Sequence, residues 1–216
     1  PSSAASDVYK RQPLRGGMTS CDVLVIGAGP GGGSAAGVAL GQAAALAKMV
    51  ADLTLGNDKY ANGWNIAKSV IAVATPLLNE GLNLAQLDSE AFDAVVAGFK
   101  LPKTTDDEKT IRREEIRNSM LGAAKVPYDT ACYALDLMKL LPDLATYGNE
   151  NAVSDVGVAG LLASAALKGA IFNIEINFAG AFPLSNALLF AVSISSLSTC
   201  SPAIKSVSPA SVISTF

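Results

Sequence analysis

At 216 residues, half of them hydrophobic, the chain is long enough for one domain with a sizeable core, and with only 6% aromatic residues its packing falls to Ala, Leu and Val. A net charge of −3 with dispersed signs leaves no electrostatic footprint for nucleic acid. The absence of any histidine excludes Ser-His-Asp and Cys-His catalysis and the commonest zinc ligand sets, so acid–base chemistry must use Asp, Glu, Lys, Tyr, Cys or the substrate itself.

Residues 1–17 are polar and aperiodic and read as a non-native or disordered leader, with Met18 as the start of the domain. Next comes VLVIGAGPGGGSAAGVALG, in which an apolar run from Val23 to Ile26 precedes Gly27, Gly29 and Gly32 in G-x-G-x-x-G register. A dinucleotide site needs a helix after the glycines, then a second strand, and an acid about 20 residues on. The stretch after Gly33 is Ala-rich and helix-forming, no second β-branched run appears, and Asp52 falls inside the helical pattern. A flavin or nicotinamide oxidoreductase of the Rossmann type therefore ranks third.

The spacing predicts a helix over 34–55 with Ser34 as its N-cap, and the glycines before it leave backbone N–H groups open to an anion. A second helix is expected over 64–78, ended or kinked by Pro76, and a third over 88–100 capped by Asp88. In that third helix Phe92, Val95, Val96 and Phe99 form an apolar stripe, and Asp93, Ala97 and Lys100 share the opposite face. Thr105-Asp106-Asp107-Glu108 fits a capping box opening a long helix to about residue 141, bent at Pro127. Gly148 closes that region, and a last helix runs from Ser154-Asp155 to about Asn177.

On that last helix Asp155 and Asn173 are 18 residues apart, five full turns, and so share a face; Asn177 follows Asn173 by one turn. Leu162 and Ala166 lie on the strip between them, which suits a flat ligand held at two polar ends. The competing reading has Asp155 as a cap and the asparagines in helix–helix hydrogen bonds. Residues 181–216 form an atypical Ser-rich tail, uncharged apart from Lys205. Its apolar stretch is interrupted by Pro183, Asn186 and several serines, so no membrane span is expected there. Cys21, Cys132 and Cys200 are far apart and match neither a disulfide framework nor a metal spacing, which suits a reducing, cytoplasmic setting.

Three blocks carry a family resemblance. GPGGGSAAGVALGQAAALAKMVADLTLGNDKY, DSEAFDAVVAGFKLPKTTDDEKTIRREEIRNSMLGAAKVP and GNENAVSDVGVAGLLASAALKGAIFNIEIN occur in this order. Together they resemble the formiminotetrahydrofolate cyclodeaminase and methenyltetrahydrofolate cyclohydrolase family. The chain departs from the family's pattern at both ends, in Cys21–Ile26 and in the nearly uncharged tail.

The resemblance implies an all-α bundle of five to seven helices in a domain over 18–180. It implies a homodimer with a reduced folate bound in a groove near the subunit interface, and no cofactor or metal beyond the folate substrate. It raises Asp155 and Asp93 to catalytic candidates, and Gly31, Gly32, Gly33, Ser34, Lys103, Asn173 and Asn177 to substrate-binding ones. The implied reaction closes formiminotetrahydrofolate to methenyltetrahydrofolate with loss of ammonia, or interconverts methenyl- and formyltetrahydrofolate. A non-catalytic helical folate-binding or interaction protein is the alternative.

Overall fold

The computed structural model describes residues 31–181. The expected leader, the Val23–Ile26 run with Gly27 and Gly29, and the tail beyond residue 181 lie outside that range. Within it are five α-helices, α1 (Gly31–Thr54), α2 (Trp64–Lys100), α3 (Asp106–Met138), α4 (Leu141–Tyr147) and α5 (Val153–Ala181), with 3-10 turns at Asp58–Gly63 and Glu150–Ala152. No strand occurs among the described residues, so the fold is all-α as the composition indicates.

The four long helices form an up-down-up-down bundle in which α1 and α3 each pack against α2 and α5. Small residues set its spacing. Ala43, Ala44, Ala47, Ala67, Ala74, Ala134, Ala159, Ala163 and Ala166 are all fully buried around Leu40, Val50, Val70, Leu137 and Leu144. At the α1–α2 crossing a Cβ on Gly81 would stand 2.7 Å from the Gly37 carbonyl and 2.8 Å from the Gly41 Cα, so the two backbones touch directly. Gly56, at φ 77°, makes the left-handed turn that releases the chain from α1.

The sequence pattern underestimates one element. Pro76 and Asp88 neither end nor start a helix: α2 is continuous through both over 37 residues. The carbonyl that Pro76 leaves without a helix partner is that of Ala72, which is exposed and open to water, so the break is tolerated. The predicted capping box is present, with Glu108 N–H donating to Thr105 Oγ1 at 3.2 Å and the Glu108 carboxylate accepting from Thr105 N at 3.0 Å. Ser34 is not a cap but lies inside α1. Cys132 is half-buried on α3, and Cys21 and Cys200 lie outside the described residues.

By length and composition alone, α1 and the stretch Glu150–Ala181 are apolar enough to cross a membrane. Both pack into the bundle through their alanine-rich sides.

Candidate functional site

The first turn of α1 meets α2 and α5 at one end of the bundle. Gly33 is buried against Asp88: a Cβ there would lie 2.2 Å from Asp88 Oδ1, so only glycine admits that carboxylate. Ser34 Oγ stands 3.1 Å from Asp88 Oδ2 and 3.1 Å from the Ala85 carbonyl one turn earlier on α2. From the other side Asn173 of α5 leans over Gly32, its Nδ2 3.0 Å from where a Cβ would sit, and donates to the Gly169 carbonyl at 2.8 Å. Gly31 and Gly32 are exposed, so the mouth of this corner opens to solvent.

Asp88 is the residue that sequence reasoning missed. It is only 6% exposed, and among the described residues no cation contributes to its titration. Burial pushes its carboxyl above the ordinary value of 3.8, and the Ser34 hydroxyl and backbone N–H, which stabilise the ionised form, pull part of the way back. The anion that the glycine-rich helix start receives is thus the chain's own carboxylate. A signal for it exists in the sequence. Leu77, Gly81, Leu84 and Asp88 continue one buried stripe by steps of four, three and four, so an acid stands at a core position.

The remaining candidates divide. Gly31, Gly32, Gly33, Ser34 and Asn173 come together with Asp88 in this corner. Asn177 lies one turn beyond Asn173 but reaches α3, donating to the Ala123 carbonyl at 3.2 Å. That carbonyl is the one that Pro127 deprives of its helix partner, so Asn177 supplies the missing donor.

Asp155 sits half-buried in the first turn of α5, about 27 Å from Asn173 along the helix. On the strip between them Ala166 is fully buried and Leu162 half-buried. Asp93 and Lys103 are exposed, on the part of α2 and the following turn that run past Gly31. Glu175 is also pushed above the usual carboxylate range by partial burial, but it points about 200° around α5 from Asn173.

A groove of about 320 Å³ between α2 and α3, lined by Val73, Pro76, Leu77, Glu80, Tyr133 and Asp136, includes none of these residues. Among the described residues no three potential metal ligands cluster.

The sequence model of the formiminotransferase-cyclodeaminase family matches residues 27–181. The chain belongs to this family. It is 37% identical over 151 residues to the methenyltetrahydrofolate cyclohydrolase of Methylorubrum extorquens, covering 70% of this chain and 73% of that protein. It is 33% identical over 150 residues to the formimidoyltransferase-cyclodeaminase of Gallus gallus, covering 69% of this chain but only 28% of that longer protein. The crystal structure of formiminotetrahydrofolate cyclodeaminase from Thermotoga maritima superposes with a TM-score of 0.66 at 26% identity, covering 81% of this chain and 83% of the other. The Asp88 corner lies wholly inside the matched region.

Proposed function

We propose that this family member is a folate one-carbon enzyme acting at the carbon carried between N5 and N10 of tetrahydrofolate, with Asp88 as its proton-handling group. The observation that carries this reading is a carboxyl that is buried without a cation among the described residues, faces the start of α1 and is held there by a glycine and a serine. A carboxyl with a raised pKa holds and releases a proton closer to neutral pH than an ordinary aspartate.

In the cyclodeaminase direction N10 of formiminotetrahydrofolate attacks the carbon of the protonated formimino group and loses its proton, the departing nitrogen gains that second proton, and ammonia leaves the cationic methenyl product. In the cyclohydrolase direction water adds to the methenyl carbon and gives up a proton. The N5–carbon bond then breaks as N5 takes a proton and the remaining hydroxyl loses its own to become the formyl carbonyl, with one proton released overall. One carboxyl alternating between acid and base serves either sequence, and its negative form offsets the cationic methenyl carbon. Both relatives' names fit this chemistry, and the identity is higher to the cyclohydrolase.

Asn173, Gly31 and Gly32 form the rim on which a folate ring would rest. Asp93 and Lys103, on the protruding α2–α3 end, are assigned to the outer part of the ligand. We infer a cytoplasmic homodimer that uses no cofactor beyond the folate and binds neither nucleic acid nor membrane. The dimer is supported by exposed apolar side chains along α1 and α5, among them Met49, Leu53, Leu161 and Ile176.

The deciding experiment incubates the protein with formiminotetrahydrofolate and with methenyltetrahydrofolate, following methenyl absorbance and ammonia release separately. Absorbance gained with ammonia identifies the cyclodeaminase, and absorbance lost without it the cyclohydrolase. Folate binding without turnover would establish the non-catalytic alternative, and binding of NAD or FAD with no folate heat would overturn the reading.

A further inference from the structure

Ser34 has one hydroxyl proton and two acceptors at the same distance. Its Oγ lies 3.1 Å from Asp88 Oδ2 and 3.1 Å from the Ala85 carbonyl. A hydroxyl donates once and accepts through its lone pairs, so it cannot serve both acceptors while Asp88 is ionised. The Ala85 carbonyl has the N–H of Ser89 as its partner within α2, so losing the serine does not leave it bare. An ionised Asp88 has no such reserve: it is buried, and its helpers are the hydroxyl and backbone N–H of Ser34.

Resting on the assignment of Asp88 above, we propose that Ser34 is a positioning residue whose hydroxyl changes acceptor with the charge of Asp88. When Asp88 is ionised, Ser34 Oγ–H donates to Oδ2. When Asp88 has taken a proton, its O–H donates to Ser34 Oγ, and the serine proton turns to the Ala85 carbonyl. No proton is gained or lost by the serine in either state. Each form of the carboxyl therefore keeps a hydrogen bond, and the side chain stays in one place through both halves of a proton-transfer cycle. A buried acid that had to move or lose its partner on each transfer would lack that preorganisation.

The surroundings leave the task to Ser34. Among the described residues no charged side chain is a cause of the Asp88 shift, and Glu90 and Asp93 of its own helix are exposed. Lys48 of α1, Arg117 and Lys125 of α3, and Lys168 and Glu175 of α5 are not among the causes of its shift. Gly33 closes the remaining side, where any Cβ would displace the carboxylate.

The test follows the Asp88 carboxyl carbon by NMR in folate-free protein labelled at aspartate, alongside turnover against pH. In Ser34→Ala the Asp88 titration is expected to move to higher pH, because the ionised form loses a donor. The acidic limb of turnover should follow it, and kcat should fall about tenfold with KM little changed, the scale of one hydrogen bond to a charged group. Ser34→Thr, which keeps the hydroxyl, should restore both. The thermal midpoint of Ser34→Ala should also be lowered on both sides of the Asp88 titration, since the hydroxyl is bonded in either state.

An Asp88 titration unmoved by Ser34→Ala would overturn the proposal, because the hydroxyl would then serve Ala85 alone. A midpoint lowered only on the alkaline side would overturn it too, because the hydroxyl would then never turn to Ala85. Full turnover by Asp88→Asn would instead remove Asp88 from the chemistry, and the titration would still decide the hand-off by itself.

Discussion

Asp88 is held in its corner at a cost that depends on pH. Its native pKa lies above the value of the unfolded chain, so between the two the native state binds the proton more tightly. The stability associated with this group is fully present below the ordinary value of 3.8 and is lost as pH rises through the raised native value. Asp88→Asn, which cannot ionise, should therefore gain a few degrees in thermal midpoint relative to the wild type at pH 8, and less at pH 5. Its turnover should fall by roughly 10²-fold or more, the usual contribution of a general acid–base group. Calorimetry and the folate assay measure the two effects independently.

The same assay on Asp155→Asn settles the competing assignment. The distance from Asp155 to the Gly33 corner leads us to expect near-normal turnover, and a 10²-fold loss there would transfer the catalytic role. Asp88 was hard to read as functional because Ser89, Glu90 and the Phe92–Phe99 stripe after it imitate a helix start. Its own position in the preceding stripe carried the better information. Gly33, Ser34 and Asn173 were legible as site candidates, but what they surround was not, because that pairing joins residues 54 apart in sequence.

At the scale of the element, proline and asparagine act as a pair across two helices. Pro127 withdraws the N–H that would bond the Ala123 carbonyl, and Asn177 replaces it from α5. Asn177→Ala should thus cost about 1–2 kcal/mol by leaving that carbonyl unsatisfied. In a Pro127→Ala background the helix regains its own donor and the same substitution should cost clearly less. Denaturant melts of the four proteins measure the coupling, and equal costs in both backgrounds would refute it.

The glycines give a second contrast. Gly81→Ala forces a methyl into the α1 backbone and should destabilise by about 1–3 kcal/mol. Gly122→Ala meets nothing within 4 Å on exposed helix α3 and should stabilise by about 0.5–1 kcal/mol. The helices, their order and the Thr105 cap could be read from periodicity and end signals, which are local. The run of α2 through Pro76 could not, because whether proline breaks a helix depends on whether the freed carbonyl at Ala72 faces water or a neighbour.

For the whole molecule, the open question is what faces the outer sides of α1 and α5. These helices are neighbours in the bundle, and their outward residues are poor in charge. Val38, Met49 and Leu53 on α1 are 37–50% exposed, and Val158, Leu161, Phe172 and Ile176 on α5 are 42–73% exposed. Scattered exposed apolar residues need no explanation, but a run of them along two adjacent helices marks a contact surface. The homodimer proposed above would place a second copy of the chain on that surface. A stable dimer buries about 1,600 Å² in total, an area that two helices of 24 and 29 residues have the length to supply.

Leu161 is the most exposed of these side chains at 73%, so Leu161→Glu should leave the monomer's core intact. In the dimer it would bury a charge, and losing the leucine alone forfeits about 1.5–3 kcal/mol, more than tenfold in the dissociation constant. Sedimentation velocity should show the wild type as a dimer at micromolar concentration and Leu161→Glu shifted to monomer with its helical circular dichroism unchanged. Ile111→Glu, equally apolar and 62% exposed but on α3, should remain dimeric. A monomeric wild type would remove the homodimer. A dimer lost in Ile111→Glu but not in Leu161→Glu would move the interface to the protruding α2–α3 end, beside Asp93 and Lys103.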